Sequence, residues 1–499
     1  MPTPSPMNVL FLASEAEPLI KVGGLADVAG SLPLALLALN QSADIVPSEL
    51  DIRMAIPFHP SINAEPYSPS QVAEFHICAQ DGDILTKVFS IQLDGLPVYL
   101  IAGAPIDQES AVYSSNLEDD GYKYVFFSQA ALELTRQLNW KPHVLHANDW
   151  HTAPAVYSLA LHRHSDPLLT HTSSLLTIHN LPYLGAMTAP ALDAFGLPPA
   201  RRSGLPKWAR HLALPLGLLS ADSIVAVSPG YSKEILTKEF GSGLDTFLKT
   251  HREKVFGILN GLDTRRWDPQ NDSVLDATFS VDNLQVRSVN KSYLQRKIGL
   301  EENPNTPLLA MVTRMDPQKG VDLAVAALRL LLKSTHPLTR QLQVVFLGTG
   351  NPVLESICRQ LERDYPTQVR AHIEYSERFS RFIYAGADLL LMPSRYEPCG
   401  LSQMIAMHYG CVPVARDTGG LSDTIQEISR SNQGTGFLFK NVNAKELANT
   451  IHRALKVYAQ DPRTWQQLQM RGMRQDFSWG KSAQVYLKRY MALQVEKYV

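Results

Sequence analysis

Short apolar runs alternate along the chain with longer segments whose apolar residues recur at helical spacing. In the first half, the predicted strands are residues 9–13, 52–56, 97–101, 144–147, 175–178 and 223–227, and the predicted helices include 25–39 and 124–138. Strands and helices that alternate in this way are typical of a largely parallel sheet with helices on both faces.

The same alternation begins again after Ile258. The predicted strands are now residues 308–312, 344–347, 369–372, 389–392 and 412–415, with helices near 322–332 and 401–409. Because 499 residues exceed what one core usually organises, we predict an α/β protein of two doubly wound parallel-sheet domains, residues 1–253 and 254–481. A terminal helix over 482–499 can pack back on the first domain. Two facing sheets place their loops along a shared interdomain cleft, where we expect the chemistry.

Composition and charge narrow the class of protein. The chain has 46 Lys and Arg against 48 Asp and Glu, which argues against a generally basic surface for nucleic acid or membrane. Four cysteines without CxxC spacing favour a reducing compartment. No basic start with an apolar signal segment is present, and no apolar run approaches the roughly 18 residues of a membrane span. We therefore expect a cytoplasmic protein, or a protein of the plastid stroma in a plant lineage, without a transit peptide.

Glycine-containing turns follow several predicted strands. Lys21, Gly23 and Gly24 lie between the first strand and the first helix, where close backbone approach and a positive helix end suit a phosphate. The alternative is a tight structural turn with a solvated lysine, since neither common nucleotide-binding glycine motif is matched. Residues 418–420 form a second turn of this kind, whereas residues 348–350 are interpreted as a structural turn.

Two cations follow the strand at 308–312. Arg314 and Lys319 suit a diphosphate, because arginine offers a forked donor and lysine a mobile charge. The alternative is a surface salt bridge through Asp316. Further along, Glu397 can hold hydroxyls or stabilise developing positive charge, while Cys399 has no histidine or aspartate nearby in sequence that would support a reactive thiol.

Histidines and an aspartate cluster between residues 143 and 151. Their spacing is not that of a helical zinc site, and we favour hydrogen bonding of Asp149 to a polyhydroxylated ligand, with Trp150 as an apolar face. The alternative is a turn in which Asp149 caps a helix. His179 and Asn180 end another strand at the same sheet edge. A structural role and a functional role for His179 are equally open.

With these loops in order, the sequence resembles bacterial glycogen synthases and plant starch synthases over almost its whole length. The motifs that carry the resemblance are KVGGLADV at 21–28, HANDWH at 146–151, TIHNL at 177–181, ILNGLD at 258–263, RMDPQKGVDL at 314–323, PSRYEPCGLSQMIAM at 393–407 and DTGGLSDTI at 417–425. The resemblance implies a GT-B fold of two Rossmann-like domains. It also implies transfer of glucose from ADP-glucose to the non-reducing end of an α-1,4-glucan, with retention and without a metal or other cofactor.

The resemblance also implies roles for individual residues. The catalytic set would be Asp149, His179, Arg314, Lys319 and Glu397, and the donor-binding set would be Lys21, Gly23, Gly24, Asn180, Asn260, Cys399, Gly400, Leu401, Thr418, Gly419 and Gly420. The implied partners are ADP-glucose and an α-glucan acceptor such as glycogen, starch or a malto-oligosaccharide.

Three positions depart from the pattern of these synthases. Leu184 replaces a glutamine, Pro215 stands in a segment that commonly reads Asn-x-x-Lys, and Lys123 stands where arginine is frequent. All three lie in the acceptor-side half. They keep open a catalytically weak or inactive glucan-binding paralogue, and a GT-B transferase that uses another nucleotide sugar is a further alternative.

Overall fold

The computed structural model describes residues 6–41, 49–109, 111–429 and 433–495. These residues form two compact units, residues 6–261 with 479–495 and residues 262–478. The sequence placed the boundary after residue 253, earlier than the structure does. The difference has a physical cause, because Val255–Gly257 pairs as a parallel strand with Ser223–Ala226 and so continues the first sheet.

The first unit contains one large sheet. Its strands are β1 (Met7–Leu12), β2 (Leu50–Pro57), β3 (Ser70–Ile77), β4 (Ile84–Leu93), β5 (Leu96–Ala102), β6 (Val144–Asn148), β7 (Ser173–Ile178), β8 (Ser223–Ala226) and β9 (Val255–Gly257). Within the described ranges these nine strands are ordered β3-β4-β5-β2-β1-β6-β7-β8-β9. In this spatial order, every neighbouring pair between β5 and β9 is parallel, including those formed by β2 and β1. The strands β3 and β4 add an antiparallel edge next to β5. The predicted parallel sheet therefore carries an additional hairpin.

Helices cover the first sheet. They are α1 (Gly24–Ala38), α2 (Ala104–Asp107), α3 (Leu117–Gln137), α4 (Asp149–His162), α5 (Ala189–Ala194), α6 (Ala213–Ser220), α7 (Pro229–Glu234) and α8 (Asp245–Thr250). In α1 the buried residues Leu25, Val28, Leu32 and Leu36 recur at helical spacing, so one face of this helix is apolar. Three of these residues, Val28, Leu32 and Leu36, join the core formed with β1, β2 and β5.

The second unit is built around an all-parallel sheet. Its strands are β10 (Leu308–Val312), β11 (Gln343–Leu347), β12 (Val369–His372), β13 (Leu389–Met392), β14 (Val412–Arg416) and β15 (Phe437–Phe439). Over the part of the chain that the structure describes, their order is β12-β11-β10-β13-β14-β15, and each neighbouring pair is parallel. This order reverses direction beside β10, as in doubly wound sheets.

Nine further helices in the described residues of the second unit complete its two outer layers. They are α9 (Arg287–Lys297), α10 (Val321–Leu332), α11 (Pro337–Arg340), α12 (Pro352–Asp364), α13 (Glu377–Gly386), α14 (Ser402–His408), α15 (Gly419–Thr424), α16 (Ala444–Gln460) and α17 (Pro462–Met473). A single apolar cluster joins α10, α12 and α16 to the central strands. None of the helices described in either unit is long and apolar enough to cross a bilayer.

The last helix, α18 (Trp479–Val495), belongs to the first unit. Tyr490 of this helix places its hydroxyl 2.6 Å from Nδ1 of His146, and Nε2 of the same ring lies 2.8 Å from Oγ1 of Thr177. His146 is on β6 and Thr177 is on β7, so the imidazole connects two adjacent strands and also anchors α18 to them. The predicted terminal helix thus packs on the first unit, and its predicted residues 496–499 lie outside the described ranges.

Candidate active site

The predicted site residues follow the carboxyl ends of parallel strands in each unit. In the first unit they follow β1, β6, β7 and β9, and in the second they follow β10, β13 and β14. Since parallel strands end at one sheet edge, each unit collects its own set of polar loops there.

Lys21 precedes helix α1 and is held between two carboxylates. Its Nζ lies 2.7 Å from Oδ1 of Asp27 and 3.1 Å from Oε2 of Glu17. Burial lowers the pKa of Lys21, but attraction to Asp27 and Glu17 outweighs burial and the net pKa is raised. The lysine is therefore a paired, charged group, unlike the freely solvated lysine that the sequence left as an alternative.

The backbone N–H groups just before α1 are occupied by Glu15. This buried carboxylate accepts hydrogen bonds from the N–H groups of Val22 and Gly23, the latter at 3.1 and 3.2 Å, and from the Tyr113 hydroxyl at 3.0 Å. Burial raises the pKa of Glu15, whereas these hydrogen bonds lower it, with a net rise. Use of the Gly23 N–H by a phosphate therefore requires Glu15 to release it, while the space beside Gly24 is open.

The turn from β6 to α4 connects directly to the end of β7. Oδ1 of Asp149 accepts from the N–H of His179 at 2.7 Å and from that of Asn180 at 3.4 Å. Burial raises the pKa of Asp149 to about 7, although both N–H groups lower it. Asn148 occupies the position before α4, so Asp149 begins the helix instead of capping it. The structure thus joins three predicted site residues by hydrogen bonds.

His179 is a neutral imidazole at physiological pH. Burial lowers its pKa to about 3, and its Nε2 lies 2.8 Å from Oδ1 of Asn148. A neutral ring is a hydrogen-bonding group and not a proton reservoir near pH 7. Any function of this side chain at neutral pH therefore uses its hydrogen-bonding nitrogens.

The other histidines of this region point in separate directions. Nδ1 of His143 accepts from the N–H of Asn8 at 2.9 Å, and His146 bonds to α18 and β7. His151 packs among aromatic rings, with its centroid 4.2 Å from that of Trp150. In the described ranges no group of three or more histidines, cysteines and acidic residues is placed to hold a metal ion.

Asn260 follows β9 in a tightly packed turn. A Cβ on the next residue, Gly261, would lie 2.6 Å from the Cα of Trp479, so only glycine fits there. The Asn260 side chain is buried, and its Oδ1 has no hydrogen-bond partner among the described residues. Because a buried polar atom without a partner is costly, this oxygen is available to a ligand.

In the second unit, two predicted catalytic residues form a direct ion pair. Nζ of Lys319 lies 2.8 Å from both carboxylate oxygens of Glu397, and the Ser394 hydroxyl donates to Oε2 at 2.9 Å. Glu397 is only 4% exposed, so its charge depends on these partners. The sequence predicted both residues for the site, but it did not predict their bond.

The turn that carries Lys319 packs on the segment that carries Glu397. Gly320 has φ +67°, and a Cβ there would lie 2.2 Å from the carbonyl oxygen of Pro393. This close approach requires glycine and brings Lys319 to the carboxylate. Arg314, at the start of the same turn, forms the surface pair with Asp316 that the sequence left as an alternative, with a separation of 3.6 Å.

Glycine turns bring the remaining predicted donor-binding residues together. The Gly420 N–H donates to the carbonyl of Glu397 at 3.0 Å, and a Cβ on Gly420 would lie 2.2 Å from the carbonyl oxygen of Cys399. Gly400 and Gly419 both have positive φ values, +75° and +45°. The residues assembled by these turns are Cys399, Gly400, Leu401, Thr418, Gly419 and Gly420. This part of the site is therefore a packed pair of helix starts beside Glu397.

Comparison with known proteins identifies the family. The starch synthase catalytic domain matches residues 8–250, and the glycosyl transferases group 1 family matches residues 295–467. The glycogen synthase of Syntrophotalea carbinolica is 38% identical over 491 residues, which cover 97% of this chain and 98% of that protein. The chain belongs to the glycogen synthase family. The glycogen synthase of Bacillus cereus strain ATCC 10987 is 36% identical over an alignment that covers 98% of this chain and 100% of that protein.

Solved structures agree with membership of the glycogen synthase family. The catalytic domain of starch synthase IV from Arabidopsis thaliana, bound to ADP and acarbose, has a TM-score of 0.87 and 30% identity, covering 98% of this chain and 100% of that one. Sucrose-phosphate synthase from Thermosynechococcus elongatus, at 18% identity and a TM-score of 0.61, shares the fold. The protein is a glucan-synthesising glucosyltransferase. The predicted family, the α/β fold class of the GT-B type and the enzyme class are confirmed.

Two of the departures from the glycogen synthase pattern have structural explanations. Nζ of Lys123 is fully buried and bonds to the carbonyls of Ala111 and Val112 and to Asp120, so it closes the loop before α3. Pro215 is buried at the third residue of α6, where a backbone N–H has no acceptor within the helix. The Lys123 ammonium group is therefore paired, and Pro215 removes no backbone hydrogen bond from α6.

Proposed function

We propose that this glycogen synthase transfers glucose from ADP-glucose to the non-reducing end of an α-1,4-glucan in the cytoplasm, with retention of the α configuration and without a metal or other cofactor. The observation that carries the proposal is the full-length similarity to a starch synthase catalytic domain whose structure contains ADP and acarbose. The second unit of this chain keeps an intact Lys319–Glu397 pair beside its glycine turns.

The charges of the second unit suit the departure of a diphosphate. A unit charge pair at about 4 Å contributes on the order of 4 kcal/mol at an effective dielectric near 20. We assign Lys319 and Arg314 to the diphosphate, where positive charge stabilises the leaving group. Glu397 then supplies negative charge beside the sugar as positive charge develops there. In the first unit, Asp149 and the neutral His179 are assigned to the transferred glucose, and Lys21 remains a predicted diphosphate ligand.

The direct test is an assay of purified protein with ADP-glucose or UDP-glucose, with and without glycogen. We expect release of nucleoside diphosphate and glucan growth, a higher kcat/KM for ADP-glucose, and no loss of activity in EDTA. A higher kcat/KM with UDP-glucose contradicts the proposed donor. Activity that EDTA abolishes and Mg²⁺ or Mn²⁺ restores contradicts metal independence.

Arg314→Ala should reduce kcat by about 10²- to 10³-fold, because removal of one preorganised group at a developing charge has an effect of this size. Arg314 is 60% exposed, and surface pairs such as Arg314–Asp316 contribute about 0–1 kcal/mol to stability. Unfolding in urea should therefore change little. Arg329→Ala, which breaks the surface pair with Asp364, is the matched control and should retain kcat. Near-normal turnover of folded Arg314→Ala removes this residue from the catalytic set.

A catalytically weak glucan-binding paralogue is the second candidate, and Leu184 is the observation that favours it. The side chain of Leu184 is half-buried and cannot make the hydrogen bonds that a glutamine side chain makes. The backbone carbonyl of Leu184 still accepts from the N–H of Leu214. A protein that binds ADP-glucose but transfers no glucose to any glucan supports this candidate.

Leu184→Gln should raise kcat/KM for short malto-oligosaccharides by about two- to tenfold, since one neutral hydrogen bond contributes roughly 0.5–1.5 kcal/mol. Steady-state kinetics with maltotriose and maltohexaose measure the change. Leu338→Gln, at another half-buried leucine in the second unit, should leave acceptor kinetics as they are. Unchanged acceptor kinetics in Leu184→Gln rule out this local explanation while the enzyme assignment stands.

A further inference from the structure

Asn148 is a fully buried residue that connects three strand ends of the first unit. Its Nδ2 donates to the carbonyl of Leu12 at the end of β1 at 2.9 Å, and its Oδ1 lies 2.8 Å from Nε2 of His179 after β7. Because a carbonyl can only accept, the amide nitrogen faces Leu12 and the amide oxygen faces the imidazole. The nitrogen of His179 that faces Asn148 is therefore the protonated one.

The next residue holds the backbone of the same histidine. Asp149 accepts from the N–H of His179, so adjacent side chains bind the ring and the main chain of one residue. Adjacent side chains diverge in strands and in helices. Asp149 has φ +55°, a left-handed conformation that is uncommon outside glycine, and this conformation at the strand-to-helix turn lets the two side chains converge.

We propose that Asn148 is a positioning residue that fixes His179 as the neutral Nε2–H tautomer in one ring orientation. Nδ1 is then the unprotonated nitrogen, and it bonds to no residue in the described ranges. This role of Asn148 rests on the proposed function only in assuming that His179 contacts the transferred glucose. The tautomer itself is a property of the free enzyme.

Two kinds of measurement test the role of Asn148. In full-length protein labelled with ¹⁵N-histidine, the His179 signals are assigned by their loss in His179→Gln. We expect a proton on Nε2 and none on Nδ1 at pH 7. In Asn148→Ala we expect a mixture of both tautomers, a kcat at least about tenfold lower, and a KM for ADP-glucose within about threefold of the wild type, since orientation affects the transition state more than ground-state binding.

Asn148→Asp is a second variant, which keeps the shape of the side chain and an oxygen that accepts from His179. A carboxylate beside the ring favours imidazolium, so the pH at which His179 titrates should rise by about one unit or more. Among the described residues, His146 and His151 interact electrostatically with His179 and Asp149 accepts from its backbone N–H, and all three are unchanged in the variant. If Asn148→Ala does not fold, the wild-type tautomer and this titration together decide the proposal.

Asn290→Ala is the matched control. Asn290 is equally buried in the second unit and also makes two hydrogen bonds, to the carbonyl and N–H of Ala277. Its loss should lower stability without changing the His179 tautomer or kcat. A proton on Nδ1 of His179 in the wild type overturns the proposal, as does Asn148→Ala with an unchanged tautomer and kcat within about twofold. Absence of any glucosyl transfer by the wild type contradicts the proposed function, while the tautomer measurement still tests Asn148.

Discussion

Glu397→Gln should lower kcat for glucosyl transfer by about 10²- to 10³-fold, the usual effect of removing one preorganised charge from a transition state. Glutamine keeps the size of the side chain and an oxygen for the Ser394 hydroxyl, but it cannot neutralise Lys319. The KM for the donor should change less than kcat, because the interaction is required mainly as charge develops.

Glutamine is chosen instead of alanine because Glu397 is buried and hydrogen-bonded to Ser394. Glu397→Ala tests the same residue by removing the whole side chain. Removing one partner of a buried pair, however, leaves the other uncompensated and typically destabilises a protein by about 3–5 kcal/mol. Lys319 is partly exposed, which reduces this penalty without removing it. Both variants leave Lys319 without its carboxylate, but alanine also removes the oxygen that accepts from Ser394 and leaves a cavity, so its effect on folding should be larger.

Glu427→Gln is the matched control for Glu397→Gln. Glu427 is also a buried glutamate of the second unit, paired with Arg453 and bonded to the N–H groups of Leu438 and Ser429. Glu427→Gln should reduce stability against urea and leave kcat within about twofold of the wild type, because Glu427 stabilises a turn outside the predicted site. If folded Glu397→Gln turns over as fast as this control, Glu397 does not belong to the catalytic set.

Asp149→Asn should become more stable relative to the wild type as the pH rises from about 4 to about 7. Burial raises the folded-state pKa of Asp149 from 3.8 to about 7, so the folded protein holds a proton that the unfolded chain has released. Stability from this neutral carboxyl is fully present below about pH 4 and is lost as the pH rises through about 7. Asparagine does not ionise and still accepts from His179, so the relative gain is on the order of a few kcal/mol.

Urea unfolding of both proteins at pH 5, 6, 7 and 8 measures this difference. Asp322→Asn is a control for which no pH-dependent difference is expected between pH 5 and 8, because hydrogen bonding to Arg395 lowers the pKa of Asp322 from an ordinary value that already lies below this range. In the wild type, the contribution of the Asp322 carboxylate to folding stability is present above the pKa of this group in the unfolded chain. It is lost as the pH falls through the pKa of the group in the folded protein. The effect should be small, since the pair is exposed. A pH-independent difference between Asp149→Asn and wild type contradicts a raised pKa for Asp149.

The pattern of apolar residues was sufficient to predict most of the parallel strands of both sheets, but not the short ones at the edges. Strands buried on both faces appear as short apolar runs, and β10 and β13 begin and end at the predicted residues. The hairpin of β3 and β4 was missed, because its strands alternate exposed and buried residues and carry many polar side chains. The short strands β9 and β15, each of three residues, are recognisable only from their pairing with a neighbouring strand.

The sequence by itself determined the family, the fold class and which polar residues follow which strands, because these depend on local patterns and on motifs in order. Only the tertiary structure decided which atoms bond. Lys319 and Glu397 are 78 positions apart, and Asn148 and His179 are 31 apart. Glu15 was missed although it stands in the same loop as Lys21, since no local pattern shows that its carboxylate turns back onto the Val22 and Gly23 N–H groups. Such contacts arise when packing brings separate strand ends to one sheet edge, and hydrogen-bond geometry there depends on distances that a one-dimensional pattern does not contain.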